Sequence, residues 1–374
     1  MSAAEGARQR QESGGREAAR ARPVEPGGGS AGWRPGPAAL VAALGFGALA
    51  SVLIGTWVGA AGDPDAAAAR SPVGLAVAAD RLGLDGLGVA SVGLALLPLL
   101  LGASRPTSSS RVGVGRAADV ALRRAARLGV LLAAGWAIAA VLALWLRAAD
   151  ASGAPPFAVS RRLVGEYAGE VAAGRGLLLT LGCALLVMAL HLTALIRPPR
   201  YPELVVGAGL LGMLPGAVTG HAAGKAGHDA AVLSVALHVV AASVWVGGLF
   251  AVVLVLGGRR SLASVVLPRF STVAGYCAAT VAVTGALSAV FRLPSLGALV
   301  TTGYGALVLA KACGLVVLLG LGWRARRRLV SRLAALAARR SDPPAPLVRW
   351  LAAELAVMAV VMGLAAALAG AAPA

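Results

Sequence analysis

Nine stretches of about twenty mostly apolar residues set the limits on how this chain folds; they fall near 37 to 60, 84 to 102, 126 to 146, 175 to 195, 203 to 219, 231 to 256, 270 to 291, 303 to 323 and 349 to 369. A hydrocarbon core about 30 Å thick is crossed by a helix of about 20 apolar residues. In hydrocarbon every backbone N–H and C=O must find its partner within the protein, so continuous apolar runs cross as helices. Composition agrees: 58% of the 374 residues are hydrophobic and 13% charged, with mean hydropathy +0.79, whereas soluble domains are about half apolar and a quarter charged. The expected fold is all-α, a polytopic transmembrane helix bundle of about nine spans.

Charge orients it. The net charge of +18 and pI near 11.5 would suggest a nucleic-acid partner if the basic residues formed one soluble patch. They sit instead at the ends of the apolar runs. With the N-terminus in the cytoplasm, 25 of the 34 basic residues fall on the inner side, including the cluster Arg324, Arg326, Arg327, Arg328, Arg332, Arg339, Arg340 and Arg349. Short inner loops rich in arginine fix that orientation and contact anionic headgroups, so the bilayer is the expected partner and nucleic acid is not.

Residues 1–36 are charged, Gly-rich and Pro-rich without periodicity and are expected to form a disordered cytosolic tail. They lack the short apolar core and cleavage pattern of a signal peptide. Residues 37–200 then read as N-terminal transmembrane helices and 201–370 as a compact core. The three cysteines each lie within an apolar run, which argues against a disulfide framework. No internal repeat is evident, no GxxxxGK[ST] loop cradles ATP phosphates, and no Cys-Pro-Cys occurs in a span. These observations point away from an enzyme and from an organic cofactor, toward movement down a gradient or with a coupled ion.

The stretch TGHAAGKAGHDAAVLSVALHVVAASVWVGGL, Thr219 to Leu249, holds three of the four histidines. His221 and His228 fall on the expected exterior connection. His238 lies on the following helix, about 10 Å below its start at 1.5 Å per residue. Trp245 follows two turns later on nearly the same face, and Gly247 and Gly248 leave that face smooth for another helix. Neutral imidazole binds copper, zinc or nickel without burying a net charge. A proton relay or simple packing would use the same residues. Methionine thioethers select Cu(I), and Met213, Met358 and Met362 are candidates; Met358 and Met362 share a helix face with Glu354. Methionine also fills gaps in cores. Lys311 and Glu354 are costly in a bilayer: they either pair with each other or serve a passing cation, with Tyr304 above them on the same route. His191, near the inner end of its helix, reads as interfacial or packing.

In order along the chain, TGHA, LHVVAASVWVGGL, RFSTVAGY, TGYGALVLAKACGLV, GWRARRRL and AAELAVMAVV resemble the copper resistance protein D (CopD) family over about Gly216 to Leu368. The resemblance implies a multi-pass plasma-membrane protein of copper homeostasis and resistance, with copper as substrate or ligand and import as the direction. The matching positions are His221, His238, Trp245, Gly247, Gly248, Arg269, Phe270, Ser271, Tyr304, Gly305, Lys311 and Glu354, with His228 less firmly placed. A methionine-rich exterior segment and a CopC-like domain are both missing from this sequence, so delivery falls to a separate CopC-like exterior copper-binding protein or to solution. Two other functions fit the same residues. A copper-binding assembly factor would deliver copper to a membrane oxidase without transport. A membrane cytochrome would need paired helix histidines, and His191 and His238 are expected toward opposite faces.

Overall fold

A computed structural model describes residues 37–59, 71–102, 112–197, 201–218, 228–256, 260–293, 295–327 and 345–370. The described chain forms helices α1 (Pro37–Gly59), α2 (Pro72–Leu101), α3 (Val112–Ser152), α4 (Arg161–Glu170), α5 (Ala172–Ile196), α6 (Pro202–Met213), α7 (Pro215–Val218), α8 (His228–Leu256), α9 (Arg260–Arg292), α10 (Ala298–Thr301), α11 (Gly303–Ala325) and α12 (Ala345–Gly370). Eight of the nine expected apolar runs each fall on one helix, and the ninth, 203–219, is divided between α6 and α7. Among the described residues, seven helices are long and apolar enough to cross a membrane, and the chain is a multi-pass helical bundle.

Local chemistry explains where helices start and stop. Ser71 caps α2 by accepting from the Gly74 N–H, with Pro72 in the first turn, and Gly102 closes it at φ 73°. That left-handed conformation costs glycine nothing. Ser160 caps α4 and Thr302 caps α11 in the same way. The run expected to span 203–219 is interrupted: α6 ends at Met213 and a separate turn begins at Pro215. Proline has no N–H for the ladder and crowds the preceding turn. The 12 residues of α6 therefore extend only about 18 Å, and α6, with the described apolar part of α1, is a shorter element. In contrast, α3 runs for 41 residues, about 60 Å, because the basic stretch before Ala126 continues the helix.

Two apolar clusters meet at α2. One joins Leu94 and Leu97 of α2 to Trp245 and Leu249 of α8, Phe270 of α9, Leu318 of α11 and Met358 of α12. The other joins Leu84, Val89 and Val92 of α2 to Trp136 of α3, Leu177 of α5 and Met213 of α6. Between them α2 and α8 touch through backbone. A Cβ on Gly93 would overlap the Gly247 carbonyl, and one on Gly247 would overlap the Val89 carbonyl. Large apolar side chains also face outward, such as Ile138 (69% exposed), Val283 (61%) and Val316 (68%). Such a surface suits lipid tails rather than water.

Candidate functional site

His238 sits ten residues into α8, facing α9. Its Nδ1 lies 2.9 Å from the Thr284 hydroxyl oxygen, which is itself 2.6 Å from the Thr280 carbonyl oxygen. Two oxygens that close need a proton between them, so the single hydroxyl proton of Thr284 is donated to Thr280. The Thr284 oxygen must therefore accept from His238, and Nδ1 carries the ring proton. Nε2 is left with the lone pair, the form in which neutral imidazole binds a metal. Ser234, one turn before His238, donates to the Thr284 carbonyl at 3.3 Å and fastens the same seam.

The other expected residues are distributed along the bundle. Trp245 is buried in the cluster containing Met358. Gly247 meets α2, as described, while a Cβ on Gly248 would overlap the Phe270 ring of α9. Arg269 donates from Nη1 to the Leu100 carbonyl at 2.8 Å, joining α9 to the C-terminus of α2. Tyr304 is buried in the first turn of α11, and a Cβ on Gly305 would overlap the Ala298 carbonyl. Glu354 is buried with Oε1 at 3.8 Å from the Cβ position of Gly322. Lys311 is eleven residues before Gly322, about 16 Å along α11, a separation too great for a direct pair with Glu354. Met213 is buried against Gly88 and the Trp136 ring, and Met362 packs on that same cluster. His228 is the first residue of α8; His221 lies outside the described residues. Among the described residues, no group of three or more His, Cys, Asp or Glu converges to hold a metal. The described candidate methionines fall in two different apolar clusters, Met358 in one and Met213 and Met362 in the other.

Sequence reasoning missed two features. Thr284 is 46 residues from His238, and its only signal was a hydroxyl inside an apolar run. The second is a charged group at the opposite end of the bundle from Arg269. Arg81 and Asp85 pair at 3.9 Å on α2, and Arg81 also donates to the Gly216 carbonyl at 3.2 Å. Asp85, Arg147, Trp136, Thr180, Met213 and Gly216 border a void of about 10 Å³, room for about one water. Tyr167 of α4 adjoins Arg147; burial pushes its phenol above the ordinary value and Arg147 pulls it back. The i, i+4 spacing of Arg81 and Asp85 was a legible helical signal, obscured by starting the span at 84.

Residues 264–368 match the model of copper resistance protein D, and residues 72–231 match that of the copper resistance protein D-like N-terminal domain. The chain belongs to the copper resistance protein D family. It is similar to the copper transport protein CutJ of Bacillus subtilis (strain 168), with 33% identity over 148 residues, 36% of this chain and 27% of that protein. The similarity thus spans about a quarter of that relative's length. No solved structure matches. Within this CopD-family chain, His238, Trp245, Gly247 and Gly248 fall between the two matched regions, whereas Thr284 lies inside the second. The His238–Thr284 hydrogen bond therefore joins the interval to the CopD region.

Proposed function

We propose that this protein imports copper across the plasma membrane. Copper is caught outside at His221 and His228, passes to Nε2 of His238, and leaves inward past the buried thioether of Met358. The observation that carries the reading is the hydrogen-bonded His238 ring, whose tautomer leaves Nε2 as a neutral donor inside a bilayer-length helix. Imidazole binds copper and thioethers select Cu(I), so a histidine-to-methionine sequence can carry Cu(I) throughout, with no change of oxidation state, and suits copper above zinc. Membership of the copper resistance protein D family and similarity to a protein named for copper transport support the choice of metal. A CopC-like exterior protein is the natural donor for the first step.

The test is copper uptake into liposomes containing the purified protein, wild type beside a His221→Ala/His238→Ala variant, with zinc as the control ion. Copper-selective flux lost in the variant is expected. Copper binding without flux in the wild type refutes transport and assigns delivery to an oxidase instead; flux retained in the variant removes the histidines from the route.

A further inference from the structure

A cavity of about 150 Å³ lies between α2, α3, α5 and α6 at the arginine-rich end of the bundle, away from the Arg81–Asp85 pair. Its wall is largely apolar, with Leu94, Pro98 and Leu122 among the lining side chains, while Arg123, Arg197 and Asp119 supply its charge. Both arginines are exposed to the outside of the bundle, and together with Asp119 they leave a net positive mouth. His191 also borders the cavity. It is only 6% exposed, and its Nε2 is buried with no hydrogen-bond partner. A Cβ on Gly129 would lie 2.6 Å from that nitrogen, so glycine on α3 makes the space the ring occupies. A buried polar atom without a partner calls for a reason. Ile196 of the lining is 85% exposed, and Leu204 (59% exposed) precedes the lining residue Val205 on α6.

We propose that this cavity seats the headgroup of an anionic membrane phospholipid. The mouth has the charge to hold a phosphate between Arg123 and Arg197. The volume takes a headgroup and not its tails, which then lie along Ile196, Leu204 and their neighbours. A free phosphate ion would meet the same two arginines, but it would gain nothing from the apolar wall or from the exposed apolar strip beside it. His191 borders the cavity, but its Nε2 packs against Gly129 of α3 and is not among the contacts of the headgroup. The assignment is independent of copper and stands or falls without reference to transport.

Native mass spectrometry of the full-length protein tests it, after detergent exchange and titration with phosphatidylglycerol or phosphatidylcholine. Wild type is expected to retain one phosphatidylglycerol more tightly than phosphatidylcholine. An Arg123→Gln/Arg197→Gln variant should lose affinity by about fivefold per arginine and about 30-fold for both. Both side chains are exposed, so the variant should keep its fold, which its thermal melt will check. A control pair, Arg161→Gln/Arg175→Gln, removes two arginines near α4 and should leave retention unchanged. Ala126→Phe, which fills the cavity from α3 without altering charge, should also abolish the tight lipid. Equal retention by wild type and the Arg123/Arg197 variant overturns the site. Displacement of the lipid by millimolar inorganic phosphate overturns the lipid assignment in favour of a free-anion site.

Discussion

Replacing Thr284 with valine keeps the shape of the side chain and removes only the hydroxyl that orients His238. In Thr284→Val, the Nδ1–H donor at 2.9 Å loses its acceptor, and the 2.6 Å bond to the Thr280 carbonyl is lost with it. Thr280 keeps its helical role, so the cost concentrates on the ring. A buried donor left unmade costs about 1–3 kcal/mol. The imidazole can recover part of this by moving its proton to Nε2, which removes the lone pair offered to metal. Loss of a partner that orients a metal-bound histidine typically weakens binding by 10–100-fold, or about 1.4–2.7 kcal/mol at 1.36 kcal/mol per decade. The expected result for Thr284→Val is a fall in copper affinity of that order, with Thr284→Ser close to wild type. Nitrogen-15 NMR of labelled histidine reads the tautomer directly: Nδ1–H in wild type and Thr284→Ser, and a mixture or Nε2–H in Thr284→Val. An Nε2–H signal in the wild type would refute the hydrogen-bond argument regardless of any copper measurement. An unchanged affinity in Thr284→Val, with the tautomer shifted, would instead remove His238 from the metal's route.

Gly247→Val drives a side chain into the Val89 carbonyl of α2, and should destabilise the protein by about 1–3 kcal/mol or more, seen as a lower thermal midpoint in detergent; an unchanged midpoint would contradict the close approach. Arg81→Gln removes a charged donor from the Gly216 carbonyl, so hydrogen exchange of the Pro215–Val218 turn should quicken while α8 is unaffected. Equal protection in both proteins would show that Arg81 does not hold the turn.

The fold was legible because apolar length is a physical requirement of crossing lipid, and eight of the nine runs each fall on one helix while the ninth is divided between α6 and α7. Its ends were less so. The extension of α3 toward Val112 carries arginines, which cannot lie in hydrocarbon but are good helix formers, so hydropathy underestimates its length. The break after Met213 was written in Pro215, yet the apolar residues on either side concealed it. The site was only partly legible. Clustering of histidines along the sequence suggested a route, but Thr284 reaches His238 from another helix, and no spacing rule announces that. Glu354 and Lys311 looked like partners because both are charged within apolar runs; the 16 Å of α11 between their levels depends on which turns face each other, and that is a tertiary matter.

The backbone contact at Gly93 and Gly247 has a mechanical consequence. It lies well inside α2 and α8, between the turn fastened by Arg81 at one end and the Arg269 contact at the other. Helices packed that closely do not slide past each other without forcing main-chain atoms together. A rigid tilt of one against the other therefore turns about this point like a beam on a fulcrum. Spreading the ends on one side of the membrane draws together the ends on the other.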